Sequence, residues 1–494
     1  MVFLDSTVVN VALPAIQREL GASLADQQWI VEAYLVTLGS LMLIGGSLDD
    51  LFERRTVFVA GVSGFGICSA LCALAPNATF LIGVRALQGM AGALLVPGTL
   101  AIIMATFPER ERGGAIGTWT AWTGVATVIG PLAGGALIES SSWRLIFVLN
   151  LPLAALTLGI AARFMARSGE GRHGARLDLP GAALCALGLG GMVLALIEQP
   201  RVGWGSGIVL GAGLGGLAAL VLFVARERRT AAPMLPLSLF GARNFAVGNA
   251  ATLTMYAGLG GALFFINIFL QQVAGYTPLE AGAAFLPVTA LMFALSRRTG
   301  ALAGRYGPRL FMGLGPLVAG AGLALMARID VGATYPTRVA PALALFGLGL
   351  SITVAPLTAA VLGAVDVRHS GVASGVNNAI ARVGGLIAIA ALGAVVAGRY
   401  AALVGGRLSA LHLGHATGAL LTAARSRPLS LTPAERLAGP ARDAVHAALA
   451  ASSLSAFRLG ILVTAALVAF GGVISLVGIG TPAAPPAGEG AAKP

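Results

Sequence analysis

The run Leu4-Asp5-Ser6-Thr7-Val8-Val9-Asn10-Val11-Ala12-Leu13-Pro14 sets a carboxylate inside an otherwise apolar helical stretch near the start of the chain. A charge in such a helix is costly in lipid and marks function there. The rest of the sequence supplies the lipid setting. Of 494 residues, 57% are hydrophobic and 11% charged, against roughly 25% charged in an average soluble domain. The chain reads as an all-α polytopic membrane protein.

Fourteen apolar stretches, from 1–16 and 27–48 to 372–397 and 456–480, approach the roughly 20 residues that carry a helix across a bilayer. The first is short, about 24 Å against a core of roughly 30 Å, and reads as truncated at its start. Nothing basic precedes it and no small-residue cleavage site follows, so a signal peptide is disfavoured. With the amino terminus in the cytoplasm, the inner connections hold 17 arginines and the short outer ones 5, so both termini are expected to face the cytoplasm.

The formal net charge of +12 comes from arginines spread over many short loops. That pattern fits topology signals and lipid headgroups, and it lacks the clustered basic face that nucleic acid requires. The only lysine is Lys493, which excludes a Walker A loop and a buried Schiff-base lysine. Cys68, Cys72 and Cys185 fall inside expected spans, against a disulfide framework or a zinc site. Gly211-Ala212-Gly213-Leu214-Gly215-Gly216 lies within a span and reads as helix packing, and His412 with His415 reads as solvated. No enzyme activity, cofactor or metal is expected.

Two related loops give the organisation: Gly46-Ser47-Leu48-Asp49-Asp50-Leu51-Phe52-Glu53-Arg54-Arg55 after the second stretch and Ala303-Gly304-Arg305-Tyr306-Gly307-Pro308-Arg309 after the tenth. If each follows the second helix of a six-helix half, residues 1–163 form one half and 244–480 the other. Residues 164–243 then insert two helices with flanking cytoplasmic loops. Parallel halves of this kind belong to alternating-access transporters with a site near the membrane midplane. Segment 398–455 reads as short amphipathic helices over the exit or a tether, and the Pro- and Ala-rich 481–494 as a disordered tail.

Several motifs then carry a resemblance. The run from Leu4 to Pro14 is similar to the first-helix signature of the fourteen-helix drug:proton antiporter branch of the major facilitator superfamily. Arg85-Ala86-Leu87-Gln88-Gly89 is similar to that family's fourth-helix motif, and Gly130-Pro131-Leu132-Ala133-Gly134-Gly135 to its antiporter motif. Trp143 to Pro152 and Gly371 to Asn378 match in order. The loop at 46–55 departs from the family pattern: Asp49, Leu51 and Glu53 replace expected residues, while Asp50, Arg54 and Arg55 remain. The resemblance implies a major facilitator fold of 14 helices arranged 6+2+6. It also implies proton-coupled export of small amphipathic compounds from a monomer in the inner or plasma membrane.

Each matched residue also has a physical reading. Asp5 is the first candidate for proton coupling, against a solvated position at the cytoplasmic mouth. Glu32, five residues into the second span, either binds a proton or cationic substrate or lies wet at the outer rim. Arg85 requires a partner or a water-filled cavity, and an opposing charge would bias Asp5. Thr7, Asn10, Gln88, Asn377, Asn378 and Arg382 complete the expected substrate cavity. Gly46, Asp50, Arg54, Arg55, Gly130, Pro131, Gly134 and Gly135 are expected to switch conformation, the glycines by close helix approach and Pro131 by a missing backbone donor. A dedicated exporter of one metabolite, antibiotic or siderophore fits the same features. A non-transporting receptor or scaffold lacks the soluble signalling domain it would need. A sugar importer is weighed down by the exporter-type motif and by aromatics at only 6%.

Overall fold

A computed structural model describes residues 1–51, 53–106, 129–165, 178–230, 235–365, 370–412, 416–431 and 439–480, with Pro233, Ala434 and Leu437. The expected span over 114–128, the connections 107–113 and 166–177, His415 and the tail 481–494 lie outside the described residues.

The first apolar stretch forms α1 (Val2–Leu20), longer than its hydropathy suggests, because Gln17, Arg18 and Glu19 continue the helix to a left-handed cap at Gly21, φ 69°. Next come α2 (Leu24–Leu51), α3 (Arg54–Ala73), α4 (Ala78–Thr106) and α5, whose described part covers 129–140. A broken helix follows as α6 (Leu145–Val148) and α7 (Asn150–Phe164), then the pair α8 (Leu179–Val202) and α9 (Gly207–Glu227). The remaining helices are α10 (Arg243–Gln272), α11 (Pro278–Ala283), α12 (Leu286–Tyr306), α13 (Pro308–Met326), α14 (Ala340–Leu362), α15 (Ser370–Ser409), α16 (Ala416–Ser426) and α17 (Gly439–Gly478). The fold is all-helical among the described residues, and 11 of its helical segments are long and apolar enough to cross a membrane.

Helices α2, α3, α4 and α7 pack on one another, as do α10, α12, α13, α14, α15 and α17, while α8 pairs with α9 and lies against both α2 and α15. A seam therefore runs between α1 and α2 on one side and α10 and α15 on the other. Its hydrogen bonds gather toward the end that carries Gly21. Gln272 Nε2 donates to Gln17 Oε1 at 2.6 Å, Gln28 Nε2 to the Ile389 carbonyl at 2.7 Å and Arg427 to the Gly21 carbonyl at 3.2 Å. The opposite end of the seam brings Arg382 of α15 over the Phe3 ring, 5.6 Å from its centroid.

Segment 398–455 is folded where described. Helices α15 and α17 each run 40 residues, about 60 Å and twice the thickness of a bilayer core. Their ends bury Tyr400, Val404 and Leu408 with Leu420, Val445 and Leu449, one residue per helical turn. The amphipathic α16 is thus part of a small packed cap.

Candidate functional site

Asp5 lies in the first turn of α1 and is fully buried, so it is not a solvated residue at the bundle's mouth. Arg85 and Gln88 stand three apart on α4 and share a face. Arg85 Nη1 reaches Asp5 Oδ2 at 2.5 Å, while Gln88 Nε2 and Asn150 Nδ2 donate to Asp5 Oδ1 at 3.3 and 3.1 Å. Arg85 has further partners: Nη1 donates to Gln88 Oε1 at 2.8 Å, Nε donates to the Ile30 carbonyl at 3.1 Å, and the guanidinium stacks 4.1 Å from the Tyr34 ring centroid. Asn150 Nδ2 donates in addition to Ser69 Oγ at 3.0 Å, and that hydroxyl donates to the Phe147 carbonyl at 2.8 Å. Residues of six helices thus surround one buried ion pair whose carboxylate oxygens are both hydrogen-bonded, the condition under which a buried pair is tolerated, while Asn150 Oδ1 is left without a partner.

Glu32 is placed differently. It is fully buried and neither carboxylate oxygen has a hydrogen-bond partner. One turn before it Gln28 bonds α15, and one turn after it Val36 packs with Val193, Ile197, Leu386 and Ala390. Positions i−4 and i+4 share a helix face, so Glu32 points at the junction of α2, α8 and α15 rather than at a wet outer rim.

The other expected cavity residues do not join one site. Thr7 Oγ1 donates to the Leu4 carbonyl at 3.0 Å, and Asn10 Nδ2 lies 3.4 Å from the Ser6 carbonyl with its Oδ1 unpartnered. Asn377 Nδ2 donates to Asn249 Oδ1 and Thr252 Oγ1 at 3.0 and 2.8 Å, making a separate cluster between α10 and α15. Asn378 is exposed and bonds the Ser374 carbonyl. Arg382 is half-buried on the seam, over Phe3.

The glycine motif makes close approaches on both flanks of α5. A Cβ at Gly130 would strike Thr7 Oγ1, and one at Gly134 would strike the Val8 side chain, both on α1. A Cβ at Gly135 would lie 2.6 Å from Leu279 Cα on α11, while one at Gly282 would strike the Pro131 carbonyl. Arg55 donates to the Ala162 carbonyl at 3.2 Å. The side chains of Gly46, Asp50 and Arg54 lie outside the described residues.

Sequence reasoning missed Asn150, Ser69 and Tyr34 as partners of the ion pair. Asn150 was visible only as part of the Trp143–Pro152 run. The start of that run has its own job: Trp143 Nε1 donates to Glu19 Oε2 at 2.6 Å, and Arg144 pairs with the same carboxylate and donates to the Ala75 carbonyl at 3.1 Å. This clasp pins the end of α1 to the loops after α3 and before α6.

Known proteins agree with this architecture. The family description "Major Facilitator Superfamily" matches residues 1–389. Multidrug resistance protein Stp of Mycobacterium tuberculosis is 35% identical over 403 residues, 80% of this chain and 74% of that protein. Puromycin resistance protein pur8 of Streptomyces alboniger is 37% identical over 406 residues, 81% and 80% of the two chains. A bacterial homolog of the human lysosomal transporter Spinster, crystallised in an inward-facing and unoccupied conformation, superposes with TM-score 0.63 at 19% identity, covering 98% of this chain and 96% of that one. That last likeness concerns the fold alone. A multi-pass bundle with a paired charge buried in its first half, matched over most of its length by these relatives, makes the chain a non-enzymatic membrane transport protein that belongs to the Major Facilitator Superfamily.

Proposed function

We propose that the chain exports small amphipathic, drug-like compounds in exchange for protons, alternating access across the seam between α1–α7 and α10–α17. In this reading it spans the membrane fourteen times as two six-helix halves with α8 and α9 inserted between them, and both termini are cytoplasmic. The drug-resistance relatives support the substrate class. The seam's hydrogen bonds at Gln17, Gln28 and Gly21 then lie on the outer side, as expected of a transporter closed outward.

The observation that carries the coupling is the bare carboxylate of Glu32 on α2, beside a helix position already tied to Asp5 through Arg85. Burying an unpartnered carboxylate is so costly that the group takes up a proton or meets a cation. Protonating Asp5 removes its attraction for Arg85; beyond Gln88 on its own helix and the more distant Phe147 ring, the other holds on Arg85 are the Ile30 carbonyl and the Tyr34 ring. Both belong to α2 and flank Glu32. A proton at Asp5 is thereby felt on the helix that presents Glu32 to the seam, which gives proton and cargo a shared lever without sharing an atom.

The test uses everted membrane vesicles, a fluorescent cationic dye and an inward-acid pH gradient. Wild type is expected to accumulate dye only while the gradient stands, and both Asp5→Asn and Glu32→Gln to abolish accumulation. Dye uptake that persists after the gradient is collapsed removes proton coupling. Gradient-driven uptake that survives both substitutions removes these two acids from it.

A further inference from the structure

The pair α8 and α9 covers a chamber separate from the Asp5 network. Its volume is 430 Å³, and its walls come from Gly39 and Ser40 of α2, Cys185 and Leu189 of α8, Phe223 of α9, Leu235 and Phe240 of the returning segment, Asn249 of α10 and Ala379 of α15. The chamber continues the packed interface in which α8 meets α2 and α15 through Val36, Val193 and Leu386. It is partly open and adjoins α9, whose Leu210, Leu214, Leu217, Val221 and Leu222 are exposed on the lipid side of the bundle.

Water does not suit this space. A volume of 430 Å³ would take roughly 14 water molecules at about 30 Å³ each. The polar side chains at the wall are already engaged: Ser40 Oγ donates to the Val36 carbonyl at 2.6 Å, and Asn249 donates to the Phe245 carbonyl at 2.9 Å and accepts from Asn377. Apolar cavities without free polar partners stay dry, and this volume is in the range of ligand pockets. The walls therefore select a hydrocarbon.

Charge near the chamber selects its head. Arg228 and Arg229 follow Phe223 on the same helix end, roughly 8 Å along the axis, and both are exposed. The neighbouring Arg226 is tied to Asp178 at 2.7 Å, and Glu227 accepts from the backbone N–H of Leu235, which folds the chain back over the chamber. Basic residues beside a crevice between transmembrane helices favour anionic lipid headgroups.

We infer that the chamber beneath α8 and α9 holds one acyl chain of an anionic phospholipid, with its phosphate drawn to Arg228 and Arg229. The lipid fills the wedge where the inserted pair meets both sides of the seam, so it joins α8 to α2 and α15 as a replaceable part of the packing. The lipid's placement does not rest on proton coupling or on what the protein carries.

The experiment reconstitutes the full chain in nanodiscs of equal phosphatidylglycerol and phosphatidylethanolamine, transfers it to mild detergent and counts retained lipid by native mass spectrometry. Wild type is expected to keep one phosphatidylglycerol per chain in at least tenfold preference. Ala379→Phe, which fills the chamber, is expected to lose that lipid, and the smaller Ala250→Leu, at another wall residue on α10, to lose part of it. Arg228→Gln with Arg229→Gln is expected to keep one lipid without preference for the anionic head. Monodispersity on size exclusion identifies variants that fold, and Ala250→Leu carries the test if Ala379→Phe does not. Retention unchanged by filling the chamber, no retained lipid in wild type, or a preference unmoved by the arginine pair each overturns the inference.

Discussion

Two carboxylates are buried in neighbouring helices under opposite arrangements. Asp5 on α1 receives a guanidinium and two amides, whereas Glu32 on α2 receives no hydrogen bond. Both are fully buried, so solvent does not account for the contrast. A group that is completely satisfied costs the fold little and is disturbed only when its charge changes. A bare one is a standing cost, retained because something outside the resting structure completes it. On the proposed reading, the satisfied charge senses protons and the bare one awaits a partner.

The contrast breaks most forcefully at Arg85. Replacing Arg85 by Met leaves Asp5 buried with only the donors of Gln88 and Asn150, and removing one partner of a buried pair costs about 3–5 kcal/mol. The double variant Asp5→Leu with Arg85→Met removes both charges and is expected to recover most of that loss. Thermal unfolding in detergent, followed by intrinsic fluorescence, measures both. A double variant no more stable than Arg85→Met would mean that Asp5 is not the group Arg85 neutralises.

Glu32→Met is expected to move stability the other way. Without an uncompensated buried acid, the melting transition should rise, with a gain on the order of 1–3 kcal/mol, while cationic-dye transport is lost. A fall in stability would show that Glu32 has a partner in the resting fold and would erase the contrast with Asp5. The pairing of higher stability with lost activity is the signature of a residue kept for function.

Much of this was legible before any coordinates. Composition requires a membrane bundle, and Arg85 in the middle of an apolar stretch requires a buried anion or water, which leaves few acids to choose from. The glycines at 130–135 ask for close helix contacts, and they meet α1 and α11. Asn150 was not legible, because a lone amide at a helix start has many uses, and its role depends on a residue 145 positions away. The face of Glu32 was hidden because α2 is apolar almost all round, so periodicity does not say which side meets α15. The cap formed by 398–455 was masked by alanine and glycine: Tyr400, Val404 and Leu408 mark the buried stripe, but most residues between them are too bland to set off a polar face.

Asn150 sharpens the comparison from the satisfied side. Asn150→Ala removes one donor from Asp5 and one from Ser69 but leaves the ion pair, so the expected loss is about 1–2 kcal/mol, clearly less than for Arg85→Met. The same unfolding measurement orders the two. A loss equal to that of Arg85→Met would mean that the amide, not the guanidinium, is the main support of Asp5.

The smallest effect on stability is expected at Arg382, and it bears on the bare side. Its described contact across the seam is with the Phe3 ring at 5.6 Å, and a partly exposed cation over an aromatic face is worth about 0.5–1 kcal/mol. Arg382→Gln should therefore unfold nearly as wild type does. Its charge matters more than its contact, because a cation on α15 raises the cost of bringing a second cation into the seam that Glu32 faces. Removing it is expected to increase initial uptake of a cationic dye relative to a neutral dye of similar size, the ratio being the quantity to measure. An unchanged ratio would place Arg382 outside the path of the cargo and leave Glu32 as the seam charge that discriminates between them.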